Sequence, residues 1–254
     1  ASAKHDASLF KSAGDQLTLT PAVEGTASLV VGGVTAMQLI TSGDATEVSF
    51  DLPASLLGEA AQGSFTIRRP PGLEYLSLAT PFEGDPHQFF YEQKQEGLSA
   101  DGTLTVGSST WTFSGAPAVM DWGRGQWPQS ATWRWAGASG TAGGQPLALN
   151  LGEGFGDDTH GTENLVVLGG VAHKLGEVAW SHGDDPLSDW SFSAPGVSLV
   201  LHPTAKETGG LDFGTKYSKL EKGYGKLSGT LSFDGTSITV DGLDGFAEEE
   251  QLAW

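Results

Sequence analysis

Apolar and polar residues alternate with a period of two along most of this chain. Val197, Leu199 and Leu201 share one parity, with Ser198 and His202 on the other; Trp133 and Trp135 alternate with Thr132 and Arg134, and Trp190 and Phe192 again share a parity. A period of two sends successive side chains to opposite faces of an extended strand. Similar short runs cover 16–20, 28–31, 47–51, 64–68, 88–92, 103–106 and 147–151, each ending at a cluster of Gly, Pro, Asp or Ser. Short strands at such spacing predict an all-β protein, an antiparallel sandwich or barrel. The best helical window is Pro53–Ala61, stopped by Gly63.

Gly102–Phe113 aligns without gaps on Gly229–Val240, and both read strand, Gly/Ser turn, strand. A duplicated β module is one reading; a chance likeness between two hairpins rich in Gly, Thr and Ser is the other. The echo supports a division near Ala116–Pro117, with an N-terminal β module over 1–116 and a C-terminal one over 117–254. No Pro-rich linker separates them.

Composition narrows the chemistry. The 254 residues contain no Cys, which excludes thiol catalysis, disulfides, Cys-ligated zinc and iron–sulfur clusters. A net charge of −18 opposes nucleic-acid backbones and anionic membrane surfaces as partners. The missing Cys fits a reducing compartment, and a cytoplasmic location is expected. The first residues lack Met and an apolar signal core, so the start is expected to be excised or processed. No Walker-type phosphate loop, complete dinucleotide fingerprint or nucleophile elbow is present, and no cofactor is called for.

The informative stretch is Met120–Pro128, Met-Asp-Trp-Gly-Arg-Gly-Gln-Trp-Pro. Trp122 and Trp127 offer flat apolar walls, continued by Trp133 and Trp135. Asp121 between such walls would be held protonated by burial and act as an acid. Arg124 pulls the other way, and an Asp121–Arg124 salt bridge would make the carboxylate structural. In the last segment, Phe246, Glu248, Glu250, Leu252 and Trp254 share one face if extended, which would put carboxylates among apolar residues; a solvated acidic end is the alternative. Glu163-Asn164 and His173-Lys174 flank a Gly169-Gly170 turn, and a hairpin would gather a carboxylate, an amide, an imidazole and an ammonium. These four are either a polar site or ordinary cross-strand pairs. Asp157, Asp158, His160 and Glu163 invite a calcium reading, but no EF-hand order or zinc-peptidase motif occurs, and no metal is expected.

Asp-Trp-Gly-Arg-Gly-x-Trp-Pro (121–128), Trp-x-Trp-Ala (133–136), Leu-Asn-Leu-Gly (149–152), Thr-Glu-Asn (162–164), His-Lys (173–174) and the closing Gly-Phe-Ala-Glu…Trp resemble the DUF2804 family. Pro70–Leu76 and Phe89–Lys94 also fit its pattern, so the likeness covers roughly 63–254. The family's upstream Lys/Arg-Trp segment is absent here, which implies a truncated, processed or divergent N-terminal half. The resemblance implies two packed lipocalin-like (calycin) modules, reminiscent of carotenoid hydratase and tocopherol cyclase-type proteins. The resulting expectation is a cofactor-independent enzyme for an apolar or polycyclic small molecule, working by acid–base hydration, cyclisation or isomerisation. Asp121, Arg124, Glu163 and His173 would be catalytic; Trp122, Trp127, Trp133, Trp135, Asn164, Lys174, Glu248 and Trp254 would bind ligand. A non-catalytic carrier of a hydrophobic ligand is the alternative, and a carbohydrate-active β protein a weaker one. The oligomeric state is left open.

Overall fold

The structure is a computed structural model that describes residues 16–19, 22–31, 34–54, 59–82, 85–159 and 161–253. The strands in order are β1 (Gln16–Thr18), β2 (Gly25–Val31), β3 (Val34–Ser42), β4 (Ala45–Leu52), β5 (Ala61–Arg68), β6 (Leu76–Phe82), β7 (Asp85–Val106), β8 (Ser109–Gln126) and β9 (Ser130–Ala142). They continue with β10 (Gln145–Glu153), β11 (Leu165–Leu168), β12 (Val171–Lys174), β13 (Ala179–Ser181), β14 (Trp190–Ala194), β15 (Val197–Asp212), β16 (Tyr217–Phe233) and β17 (Thr236–Ala253). The all-β architecture expected from the alternation, in the lipocalin-like form that the family resemblance implies, is what the chain adopts. Several runs that read as separate strands are joined: 88–92 and 103–106 are two parts of the 22-residue β7. Of the expected helix, residues 55–58 lie outside the described residues, and Ala61 already opens β5.

The chain forms two compact units, residues 1–71 with 98–118 and residues 72–97 with 119–254. In the first unit β2 to β5 make an antiparallel meander, and β5 pairs with the far end of β7. Phe50 stands opposite Gly63 and Phe65 opposite Gly102, so each ring lies over a bare glycine backbone. The two rings stack at 6.5 Å.

The second unit is built on a nine-stranded antiparallel sheet in the order β12-β11-β10-β9-β17-β16-β15-β14-β13. One face carries the main apolar core. Ala136 and Ala138 of β9, Leu147, Leu149 and Leu151 of β10, and Trp190, Phe192, Leu199 and Leu201 belong to it. The opposite face carries Trp133, Trp135 and Gly137 of β9 with Ala148, Asn150 and Gly152 of β10. It is covered by β6 and the first half of β7. Leu76 and Leu78 pack there with Ala148, Leu165 and Val167, and Gly97 approaches the Ala148 methyl. Because both faces of this sheet are covered, residues of either parity are buried along β10. The turns carry positive φ where required: Gly169 (+59°) and Gly170 (+94°) join β11 to β12, and Asp234 (+48°) with Gly235 (+76°) joins β16 to β17.

Candidate functional site

The strand β7 alternates through Phe90, Glu92, Lys94, Glu96 and Leu98, all on the buried face. Three consecutive inward positions are therefore ionisable. Residue exposure is 0% for Glu92, 6% for Lys94 and 3% for Glu96. Opposite them lies a row set by register, in which Gly152 pairs with Trp135, Trp135 with Glu248, and Glu248 with Lys222. Gly152 leaves the space that Glu163 occupies, since a Cβ at that position would run into the Glu163 carboxylate.

Lys94 is the hub. Its Nζ lies 3.2 Å from Glu163 Oε2, 3.4 Å from Asp121 Oδ2 and 3.6 Å from Glu92 Oε2, and 4.1 Å from the Trp135 ring centroid. Burial opposes its charge, but Glu163, Asp121 and Glu92 outweigh that and raise its pKa, so it is an ammonium at neutral pH. Burial pushes the Glu92 carboxyl up to about 9; Lys94 pulls it down, while Glu163 and Asp121 add to the rise. Glu96 is likewise held well above the ordinary carboxyl range, by burial against the pull of Lys94. Both Glu92 oxygens and Oε1 of Glu96 are buried without a hydrogen-bond partner among the described residues. The centre thus holds two carboxyl groups whose pKa burial raises, Glu92 and Glu96, on the strand that carries the ammonium between them, with two further carboxyl groups on that ammonium.

The surrounding polar groups are fully engaged. Asn150, 0% exposed, accepts from Trp135 Nε1 at 2.7 Å and donates to the Glu163 carbonyl at 2.9 Å. Asn164 accepts from the Gly152 amide and donates to the Gly176 carbonyl, which makes it a structural brace of the expected site. Glu248 is buried in β17 and accepts from Lys222 at 2.6 Å, with the Lys222 ammonium 4.1 Å from the Phe246 ring. The extended reading of the last segment therefore describes it, and the solvated one does not. Trp254 and His160 lie outside the described residues.

Asp121 and Arg124 are three residues apart in β8 and so point to opposite faces; Asp121, its side chain 34% exposed, pairs with Lys94 in place of the expected arginine. The indoles of the same segment also diverge. Trp122 packs on Tyr91, on the outer face of β7, and Trp127 joins Trp133 and Phe90 around Phe155, at centroid distances of 4.5 to 4.9 Å from that ring. Trp122 and Trp127 are therefore not two walls about Asp121. The hairpin expected between Glu163 and Lys174 is present, with Leu165 paired to Lys174 and Val166 to His173. Strand parity divides its residues. Glu163 meets Lys94, and Lys174 donates to the Thr162 carbonyl at 2.5 Å, its pKa lowered by burial despite Glu163 and Glu92. His173 points to the other face, where it meets Asp234 at 2.7 Å and lies 4.6 Å from the Phe233 ring. Among the described residues no group of three His, Asp or Glu side chains is placed to hold a metal; Asp157 and Asp158 bond to neighbouring loop groups.

Glu92, Lys94 and Glu96 were not singled out from the sequence. The available signal was Phe90-Tyr-Glu-Gln-Lys-Gln-Glu96, where acid, base and acid fall on the parity of Phe90 and Leu98.

The sequence matches the family described as "Domain of unknown function (DUF2804)" over residues 2–254, a longer stretch than the motifs alone covered. Among solved structures the chain is similar to CghA, with 15% identity and a TM-score of 0.52, over 94% of this chain and 74% of that one. It is similar to CghA with Sch210972 at 16% identity and a TM-score of 0.51, over the same shares. Kievitone hydratase from Nectria haematococca aligns at 11% identity and a TM-score of 0.37, over 85% of this chain and 84% of that one. The likeness to CghA is one of fold. No curated protein matches the sequence.

Proposed function

This chain belongs to the DUF2804 family, and on the geometry of its buried polar centre we propose that it is a cofactor-independent enzyme acting by acid–base chemistry on an apolar or polycyclic small molecule. The observation that carries the reading is Glu92: a fully buried carboxyl, pushed up to about 9, beside the Glu163 carboxyl and 3.6 Å from an ammonium. Such a group is protonated at neutral pH yet has a cation beside it to stabilise the anion that forms when the proton leaves. The CghA fold, solved with Sch210972, supports reading this architecture as one that takes a ligand.

In the proposed step, Glu92 gives its proton to an alkene carbon or carbonyl oxygen of the substrate. The O–H electron pair stays on Glu92, whose carboxylate Lys94 then holds. The substrate cation loses a proton to the carboxylate of Asp121 or Glu163, which completes an isomerisation or cyclisation. Alternatively it takes up water and loses the proton from the added oxygen, which completes a hydration. Return of one proton to Glu92 closes the cycle. Trp135 forms the floor, and Glu163 and Asp121 keep Lys94 charged.

Native mass spectrometry of the protein purified from its host, followed by turnover of the retained molecule, tests this. Wild type is expected to convert it, and Glu92→Gln to retain it with turnover reduced at least about 100-fold, the scale of general acid catalysis. Equal turnover by Glu92→Gln overturns the assignment. A retained molecule that wild type never converts favours the carrier reading.

A further inference from the structure

β7 turns into β8 at Gly107 (φ +55°), and the Thr105 and Thr110 hydroxyls meet across that hairpin at 3.0 Å. On its other side β7 pairs with β5, while β8 pairs with β7 alone among the described residues, so the segment 109–118 is an edge of the first unit's sheet. The edge is bare. Ser109 to Thr112 and Ser114 are exposed, Trp111 at 48%, and no charged side chain occurs from Ser109 to Met120 in a chain of net charge −18. Open edges are normally blunted by a charge, a proline or a bulge. Gly115 (φ +62°), its amide on Asp101 at 2.9 Å, and Pro117 interrupt the strand beyond Ser114, whereas Ser109–Ser114 carries no such device.

The hairpin that aligns with this one in the second unit shows the same positions when covered. Ile238 and Val240 of β17 stand where Trp111 and Phe113 stand in β8, and both are buried in the main core. Trp111 is larger and more costly to leave in water, yet about half of it is in solvent.

We infer that the Ser109–Ser114 edge is a self-association surface, on which β8 pairs antiparallel with β8 of a second copy about a two-fold axis through Trp111. The sequence is self-complementary in that register. With Trp111 opposite the same residue of the copy, Thr110 stands opposite Thr112 and Ser109 opposite Phe113. Paired positions then differ by an even number, so every side chain keeps its face. Aromatic–aromatic and Thr–Thr pairs are favourable across strands. The row of rings Phe50, Phe65 and Phe113, at centroid distances of 6.5 and 5.8 Å, would continue past Trp111 into the same row of the copy. Charge selects this occupant. A basic segment would be drawn to the acidic remainder of the surface and an acidic one repelled by it, whereas an identical uncharged strand strands no charge at the contact.

Sedimentation velocity of the full chain tests this, together with oxidation of single-cysteine variants, which the absence of Cys allows. Wild type is expected to form a reversible dimer as its concentration rises over about 2–200 μM, the range of a small contact. The dimer is expected to tighten at least about threefold between about 0.05 and about 0.5 M NaCl, because salt screens the repulsion between two chains of charge −18. Trp111→Lys sets two ammonium groups opposite each other and is expected to weaken the dimer at least about tenfold with Tm unchanged. Trp111→Cys is expected to cross-link on oxidation, since directly opposite Cα atoms lie about 4.5–5.5 Å apart, within disulfide reach. Ser109→Cys is expected not to, since the two substituted positions lie roughly 13 Å apart along the strands. A wild type that stays monomeric throughout overturns the inference. So does a dimer that Trp111→Lys leaves intact, equal cross-linking of the two cysteine variants, or no cross-linking of Trp111→Cys.

Discussion

Lys94 holds its ammonium 4.1 Å from the centroid of the Trp135 ring, and the same indole donates its N–H to Asn150 at 2.7 Å. A desolvated cation over an indole face is worth about 2 kcal/mol. The contact ties β7 to β9, and the Asn150 bond extends the tie to β10. The charged centre is thereby anchored to the middle of the nine-stranded sheet, which holds its side chains to one geometry.

Removing the hub leaves its carboxyl partners without compensation. Lys94→Met is expected to cost about 3–5 kcal/mol in urea unfolding, the scale for breaking a buried ion pair by taking one partner. Adding Glu163→Gln to Lys94→Met is expected to cost less than the sum of the two single changes, because the second removes a charge that the first stranded. Strict additivity would show that Lys94 and Glu163 are not coupled.

Glu92 makes stability depend on pH in a stated direction. Its carboxyl titrates near 4.5 when unfolded and near 9 in the folded protein, so between those values the folded state binds the extra proton. Stability supplied by this group is complete below about 4.5, falls as pH rises, and levels off above about 9; Glu96 acts with the same sign. In melting curves taken from pH 5 to 9, Glu92→Gln is expected to flatten the decline by several degrees relative to wild type. An identical slope in the variant would contradict the raised carboxyl.

Gly152 is predicted to be intolerant of the smallest side chain. A methyl there meets both the carboxyl and the Cβ of Glu163 at once, so Glu163 must leave Lys94 or the strands must part. Gly152→Ala is expected to lose about 1–3 kcal/mol by thermal unfolding and to reduce turnover of the retained molecule, while Gly209→Ala, with open space around its Cβ, leaves turnover unchanged.

Asn150 is predicted to matter through its two hydrogen bonds. Asn150→Leu strands the Trp135 N–H and the Glu163 carbonyl in the interior and is expected to cost about 2–4 kcal/mol in urea unfolding. Trp135 fluorescence is expected to shift as the indole loses its acceptor.

His173 is predicted to be dispensable. It faces away from Lys94 and meets Asp234, whose side chain is 75% exposed. His173→Gln is expected to keep turnover within about twofold and to change stability by no more than about 1 kcal/mol, as for other surface pairs. A hundredfold loss of turnover would place the imidazole back in the chemistry.

Much of this arrangement is legible in the residues. Alternation at Val197–Leu201 and Leu147–Leu151 determines strands, Gly169-Gly170 determines a hairpin between Glu163 and Lys174, and the parity of Phe246, Glu248 and Leu252 determines a shared face. The same parity separates His173 from Lys174 and Asp121 from Arg124, because neighbours an odd number of residues apart cannot share a face of a strand. What the residues do not state is which face is covered. Glu92, Lys94 and Glu96 alternate as a solvated strand would, and only the packing of β7 over Trp135 and Gly137 turns that polar face into an interior. Burial, not composition, then makes two of the four carboxyl groups about one lysine, Glu92 and Glu96, differ from an ordinary surface acid, since the energy of a charge is set by the dielectric and the partners that the tertiary structure brings to it.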